Sequence, residues 1–271
     1  MSSDHHVAMV KPAPVRLRLI ALPVEHGGWG LLAAPVVLGL WLAPSLAGIG
    51  LSIAALGAFL ARQPLKLAFG DYQRGKQYPR TVWAKRFALG YGAIGLIGLI
   101  GAITSAATPF WLPIVLATPF ALGQLWFDLR KESRALTAEL FGAVAISALA
   151  AAIMMASGRP ASRALPAWLL LALQAITAII YVRMRLRLAR NEPARRAPAF
   201  WWHGAAFALV GGLVIAGWIG WPVLVAFGLL GLRCWIGLLP RSLSTPTPLV
   251  GVQEVLNSLI TVAGIALGMH F

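Results

Sequence analysis

Nine apolar runs, each close to twenty residues long, divide this chain of 271 residues. About 20 apolar residues are needed to cross a hydrocarbon core as a helix. Backbone groups in that core must be satisfied without water, so the runs are predicted to be helices. They lie at residues 28–44, 45–62, 83–104, 109–127, 138–157, 166–182, 202–220, 221–239 and 249–269. The pattern predicts an all-α, polytopic membrane bundle of about nine transmembrane helices.

Composition and length support one membrane domain. The chain is 59% hydrophobic and only 11% charged, which is too little charge for the surface of a soluble domain of this size. Residues 23–271 are predicted to form a single transmembrane domain. Residues 1–22 are predicted to be a cytoplasmic or interfacial arm, because they are polar and basic and resemble no cleavable signal.

The positive charges give the orientation. When the nine runs are threaded alternately through a bilayer, 21 of the 23 Lys and Arg residues fall on one side, and only Arg159 and Arg163 fall on the other. The positive-inside rule then predicts a multi-pass protein of the bacterial inner membrane with its N-terminus in the cytoplasm and its C-terminus outside. Because the cations occupy short loops between apolar runs, membrane lipids are the predicted partners and nucleic acid is not.

A motif before the first run contains the first candidate site residues. Glu25 and His26 precede two glycines at the predicted cytoplasmic boundary. A carboxylate at a helix N-terminus is stabilised by the helix dipole, so the pair could be an interfacial cap. Alternatively, Glu25 and His26 form a catalytic acid–imidazole pair, since histidine exchanges protons near neutral pH. Both interpretations stay open.

A second group of candidates follows the second run. Pro64 is predicted to end that helix. Arg62, Lys66, Asp71 and Arg74 are candidate ligand-binding residues, since arginine and lysine can hold a phosphate or a carboxylate. The alternative is that these cations only set the topology and attract anionic lipid.

Carboxylates elsewhere complete the candidate set. Asp128 and Glu132 would share a face with Gln124 if that helix continued past Trp126, and they could then bind Mg²⁺ through bridging phosphates. Local salt bridges to neighbouring cations are the alternative. Glu254 lies inside the last run, where an ionisable residue is a functional candidate unless an arginine or a neighbouring helix satisfies it.

Two further patterns are interpreted as structural. The arginine ladder at residues 183–190 is typical of a stop signal and a lipid-facing charge belt. The single Cys234 excludes an internal disulfide and a multi-cysteine metal site. No set of metal ligands is assigned.

Five motifs lie at residues 23–29 (PVEHGGW, followed by Pro35), 62–65 (RQPL), 128–134 (DLRKESR), 139–142 (ELFG) and 181–183 (YVR). Together they resemble the YwiC-like family of bacterial membrane proteins. The resemblance covers nearly the whole chain and implies little about mechanism.

The architecture is also distantly similar to that of UbiA-type prenyltransferases. The resemblance implies transfer of a polyprenyl chain from its diphosphate, with Mg²⁺ held by two aspartate-rich motifs. Here the corresponding cytoplasmic loops, predicted at residues 63–82 and 183–201, offer only Asp71 and Glu192. The usual metal-binding set is therefore missing, and Mg²⁺ stays open as a cofactor.

The leading hypothesis is that a cytoplasm-facing cavity binds an anionic lipid or an isoprenoid phosphate. The protein would then be a divergent UbiA-like transferase, or it would bind the ligand without catalysis. Glu25 and His26 would handle protons, and the cations after the second run would hold the anion. The first alternative is a transporter of small solutes or anions that uses Glu25 and Glu254. The second is a non-catalytic partner of a respiratory or assembly complex, with its protein partners unknown.

Overall fold

The computed structural model describes residues 16–22, 26–76 and 78–270, without the side chain of His26. Within these ranges the chain forms ten α-helices, one short 3₁₀ turn at Pro240–Ser242 and no strand. The α-helices are α1 (Leu17–Ala21), α2 (His26–Leu42), α3 (Leu46–Gln73), α4 (Pro79–Ser105), α5 (Trp111–Leu129), α6 (Leu136–Ala156), α7 (Ala161–Ala189), α8 (Ala197–Ile215), α9 (Trp221–Gly237) and α10 (Thr247–Met269).

Helices α2 to α10 correspond one to one with the nine predicted runs. Seven of them are long and apolar enough to cross a membrane. Helices α2 and α9 are also apolar but have only 17 residues each, or about 25 Å at 1.5 Å per residue. The fold class predicted from the sequence is confirmed: the protein is a multi-pass helical membrane bundle.

Local sequence explains where several helices begin. The Ser45 hydroxyl accepts a hydrogen bond from the Gly48 N–H at 3.0 Å and caps α3. Pro79 and Pro222 occupy the first turns of α4 and α9, where the missing N–H would have no helical partner. These signals set the short turns and make consecutive helices antiparallel.

The ends of two helices differ from the prediction. Pro64 lies inside α3 and is buried, and the helix continues to Gln73, so the prediction that Pro64 ends it is wrong. Proline removes one hydrogen bond, and a packed neighbour can compensate for that loss within a bundle. Helix α7 likewise extends to Ala189. Residues 63–82 and 183–201 are therefore largely helical.

Three buried hydrophobic clusters hold the described helices together, one of them around Tyr181 between α7, α8 and α9. Leu38 of α2, Leu170 of α7, Val223 of α9 and Ile265 of α10 are fully buried in one shared cluster. A second cluster joins α3 to α6 around Ile153. Helices α4 and α5 lie at the periphery and leave most of their apolar residues exposed. Such surfaces are suited to lipid contact.

Glycines bring α3 and α4 into backbone contact. A Cβ atom on Gly57 would lie 2.6 Å from the amide nitrogen of Gly95, and one on Gly98 would lie 2.7 Å from that of Ala54. Small residues at helix interfaces allow this close approach in membranes. Helix α4 is therefore held chiefly by α3, and α1 packs against both.

The alternation of the helices divides the molecule into two ends. The basic end contains the C-terminal ends of α3, α5, α7 and α9 and the N-terminal ends of α4, α6, α8 and α10. Every described Asp and Glu residue lies at the basic end or within two turns of it. The opposite end has Arg159 in the turn between α6 and α7, Arg163 in the first turn of α7 and, among the described residues, no carboxylate side chain.

Candidate functional site

Two predicted ligand-binding residues on α3 reach across to the end of α5. The Arg62 guanidinium donates to both carboxylate oxygens of Asp128, with its shortest contact at 2.8 Å. One turn further, the Lys66 ammonium donates to the Ser133 hydroxyl at 2.9 Å. We name these four residues the α3–α5 bridge. Helices α3 and α5 make little other direct contact, so the bridge supplies most of their connection.

Asp71 connects α3 to α4. Its carboxylate is almost fully buried and accepts hydrogen bonds from Arg80 at 2.7 and 3.2 Å and from the Thr81 hydroxyl at 2.7 Å. Arg74 lies 3.9 Å from the same carboxylate. Buried carboxylates require such partners. Asp71 and Arg74 therefore have structural roles here, and their proposed ligand contacts stay predictions.

Glu132 does not share a helical face with Asp128. Helix α5 ends at Leu129, and Lys131 adopts a left-handed backbone conformation with φ of 63°. The chain therefore turns before Glu132, and the condition for the predicted three-residue face is not met. The alternative prediction, that neighbouring cations form local salt bridges with Asp128, is also not met. Its partner is Arg62 on α3, 66 positions away.

The predicted acid–imidazole pair lies at the edge of the described residues. Glu25 is outside them, and His26 begins α2. The start of α2 is at the basic end, since α2 runs antiparallel to α3 across the short turn between them. The roles assigned to Glu25 and His26 remain predictions.

A second polar cluster joins α7, α8, α9 and α10. Arg233 forms an ion pair with Glu254, and its guanidinium lies 4.1 Å from the centre of the Tyr181 ring. We call five residues the α7–α10 cluster: Tyr181, Arg185, His203, Arg233 and Glu254. The pair is more buried than the α3–α5 bridge, with side-chain exposures of 11% for Arg233 and 19% for Glu254. Glu254 thus has an arginine partner, which is one of the two interpretations that the sequence allowed for it.

His203 takes a defined role in this cluster. Its Nδ1 lies 2.8 Å from the Ala199 carbonyl oxygen, and its Nε2 lies 3.5 Å from the Arg233 guanidinium. A carbonyl only accepts, so Nδ1 is assigned the proton, and Nε2 then faces Arg233 as the acceptor. This tautomer avoids placing two donors against each other.

Arg185 is the residue that sequence reasoning most clearly missed. It is only 4% exposed and donates to the Tyr181 hydroxyl at 2.7 Å, the Gln253 side-chain oxygen at 3.2 Å and the Ser242 carbonyl at 3.0 Å. The prediction that the arginine ladder faces lipid is wrong for Arg185. All three of its acceptors are neutral.

Helical periodicity contained the missed signal. Residues 183 and 187 share one face of α7, and Arg183 and Arg187 contact Glu139 and Glu192 at 2.8 and 3.3 Å. Position 185 is rotated about 200° from position 183, because successive helical residues turn by about 100°. That rotation places Arg185 on the face of Tyr181, Thr177 and Gln174, which is the buried face.

Three buried polar atoms have no hydrogen-bond partner among the described residues. They are Oε1 of Glu254, Nε of Arg233 and Oε1 of Gln174. The amide nitrogen of Gln174 donates to the Ser258 hydroxyl at 2.9 Å. Polar groups therefore continue from the cluster along the α7–α10 contact toward the middle of the bundle. Unpartnered polar atoms at such depth are uncommon and mark this contact as a candidate site.

Comparison with known proteins identifies a related family for the first half of the chain. Residues 22–154 match the family model described as YwiC-like protein. The resemblance predicted from the sequence motifs is confirmed over this segment. No curated protein and no solved structure matches the chain. The likeness to UbiA-type enzymes stays a prediction.

The YwiC-like segment divides the candidate residues into two groups. It includes all four residues of the α3–α5 bridge, together with Glu25, His26 and Asp71. The α7–α10 cluster lies beyond it. No hydrogen bond or ion pair between described residues connects the bridge to the cluster. Glu254 and Asp128 are therefore held by different partners.

The described residues contain no group of three or more His, Cys, Asp or Glu side chains arranged to hold a metal ion. The bridge offers one carboxylate, already held by Arg62, with hydroxyl and ammonium groups beside it. Such a set is better suited to holding an anion than a divalent cation.

Proposed function

We propose that this membrane protein lies in the bacterial inner membrane with its basic end in the cytoplasm, and that the α3–α5 bridge binds a phosphate group. The ligand would be an anionic lipid or an isoprenoid phosphate. Glu25 and His26 would handle protons in a divergent transferase reaction, and His26 begins α2 at the same end.

The observation that carries this proposal is the bridge itself. Helices α3 and α5 both pack against α6 but make little contact with each other. Two side-chain contacts span the basic ends of these two helices. The proposed ligand would place its phosphate at Arg62 and Lys66 and its acyl or prenyl chain between the two helices. Lys66 contacts a hydroxyl and no carboxylate in the described structure.

Exchange of partners at Arg62 would require little free energy. Its side chain is 38% exposed, and water weakens ion pairs of this exposure to about 0–1 kcal/mol. A terminal phosphate monoester offers three acceptor oxygens and more negative charge than Asp128, and a phosphodiester headgroup offers two oxygens and one negative charge, as Asp128 does. Either group could therefore replace the carboxylate at Arg62 while also accepting a hydrogen bond from Lys66.

Lipid analysis of the purified protein tests this proposal. Wild-type protein and the Arg62→Gln/Lys66→Gln variant would be extracted, and the bound lipids identified by mass spectrometry. We expect enrichment of one phosphorylated lipid or isoprenoid species and its loss by roughly tenfold in the variant, as expected for loss of about 1.4 kcal/mol of binding.

The Arg187→Gln/Arg190→Gln variant is the matched control. It also removes two positive charges from the basic end, at side chains that contact only Glu192 among carboxylates. It should retain the enriched species. The proposal is excluded if no species is enriched, or if both double variants lose it equally.

Transport is a second candidate function, favoured by the α7–α10 cluster. A carboxylate and an arginine with unpartnered buried atoms resemble the ionisable groups that line solute or proton pathways. The Gln174–Ser258 contact extends the polar path inward. Proteoliposome uptake that is lost both in Glu254→Gln and in the more stable Arg233→Met/Glu254→Gln variant, and that Arg62→Gln leaves unchanged, would favour transport over the lipid proposal.

A further inference from the structure

The opposite end of the bundle contains a basic cavity. It has a volume of about 180 Å³ and is lined by Leu42, Met154, Arg159, Arg163, Met269 and His270. These residues come from the ends of α2, α6, α7 and α10 and from the turn between α6 and α7. Three of the six side chains can donate hydrogen bonds to an anion, and the other three are apolar.

The location of these arginines is unusual for the chain. Among the Lys and Arg residues that the structure describes, they are the two outside the basic end. Cations on the non-cytoplasmic side oppose the bias that orients membrane proteins. Neither Arg159 nor Arg163 forms a salt bridge among the described residues, and no described carboxylate side chain lies at this end. Within the described part of the chain, no acidic side chain balances their charges.

The backbone at this cavity is well ordered by hydrogen bonds. The Gly158 and Arg159 N–H groups donate to the Met155 and Met154 carbonyls at 2.9 and 3.0 Å. Gly158 has a φ of +96°, which glycine adopts without steric cost. The chain enters α7 directly afterwards, so Arg159 lies just before the helix and Arg163 lies in its first turn.

The surroundings favour an anion with several oxygens. The Arg159 guanidinium lies 3.5 Å from the Leu42 carbonyl oxygen, a long contact that leaves other donors free. Two guanidinium groups can each offer paired donors to a phosphate. The N-terminus of the 29-residue helix α7 adds a favourable dipole. Leu42 and Met154 are buried and supply an apolar floor.

We infer that this cavity is a second anion site, which binds a phosphate group through Arg159, Arg163 and His270. The phosphate belongs either to an anionic lipid headgroup in the leaflet at this end or to a free phosphate in solution. The site is separate from the α3–α5 bridge and stands whether or not the bridge binds a ligand.

Arginine footprinting measures this site directly. The purified protein would be placed in phosphatidylcholine nanodiscs, with or without millimolar inorganic phosphate at matched ionic strength, and separately in phosphatidylglycerol nanodiscs. Phenylglyoxal modification of each arginine would be followed by mass spectrometry. We expect modification of Arg159 and Arg163 to slow by roughly fivefold when the ligand is at about four times its dissociation constant.

The arms of the experiment distinguish the sources of the phosphate. Protection by inorganic phosphate in phosphatidylcholine assigns the site to a free anion, and protection only in phosphatidylglycerol assigns it to a lipid headgroup. Arg190, which is exposed at the basic end, is the internal control and should not be protected by inorganic phosphate.

The Arg163→Gln variant tests whether the two arginines act together. Because Arg163 is exposed, the fold should tolerate the change. Protection of Arg159 should disappear in this variant. The inference is overturned if neither ligand protects Arg159 in the wild type, if Arg190 is protected equally by inorganic phosphate, or if protection of Arg159 survives in the variant.

Discussion

Two of the ion pairs between helices at the basic end have the same chemistry in different surroundings. Arg62–Asp128 is partly open to water, with side-chain exposures of 38% and 14%, whereas Arg233–Glu254 is more enclosed, at 11% and 19%. The first joins two helices that otherwise barely touch. The second lies between packed helices, against an aromatic ring and a histidine.

This difference in surroundings assigns different roles to the two pairs. Water screens the first pair, so its partners can be exchanged for a ligand at little cost. The second pair is shielded, so removal of one partner leaves a charge that nothing else compensates. An exchangeable pair is suited to binding, and a shielded pair is suited to fixing the arrangement of α7 to α10.

The largest expected effect comes from breaking the shielded pair. Glu254→Gln should destabilise the protein by about 3–5 kcal/mol, because Arg233 stays charged without a counter-ion. Unfolding in detergent, followed by tryptophan fluorescence, would measure the change. The Arg233→Met/Glu254→Gln variant removes both charges and should recover most of the loss. A double variant less stable than Glu254→Gln would contradict the unpaired charge as the cause.

A smaller loss is expected from crowding the same cluster. A Cβ atom on Gly237 would overlap the Tyr181 hydroxyl, so Gly237→Ala should cost about 1–3 kcal/mol as overpacking displaces the ring. Gly231→Ala is the matched control, since it lies in the same helix and meets no atom within 4 Å. Equal stability of the two variants in the same unfolding assay would show that the ring moves aside freely.

The smallest effect on stability is expected at the exposed pair. Asp128→Asn should cost no more than about 1 kcal/mol. It should also release Arg62 and increase the amount of phosphorylated lipid that copurifies, measured by mass spectrometry. Unchanged lipid with a stability loss as large as that of Glu254→Gln would show that the two pairs have the same role.

The apolar pattern predicted the number and order of the long helices, because hydrocarbon solvation acts on every residue of a span. It did not predict how far α3 and α7 continue beyond the apolar region. Their last turns are polar helix, stabilised by contacts such as Asp71 with Arg80. Hydropathy contains no information about those contacts.

The sequence also predicted some properties of the site residues and not others. Arg62, Asp128 and Glu254 were all candidates from the sequence, yet their partners lie 66 and 21 positions away. Spacing within one helix cannot pair residues on different helices. Arg185 was accessible to sequence reasoning, since its position on the face of Tyr181 follows from helical periodicity. The ladder of arginines obscured that difference between faces.

Cysteine labelling tests most directly whether the whole basic end lies on one side of the membrane. In a Cys234→Ala background, single cysteines would replace Tyr72, Asn191 and Ser162, none of which is charged. We predict that a membrane-impermeant maleimide labels position 162 in intact cells, and labels positions 72 and 191 only after the membrane is permeabilised. Labelling of positions 72 and 191 from opposite sides would contradict the account.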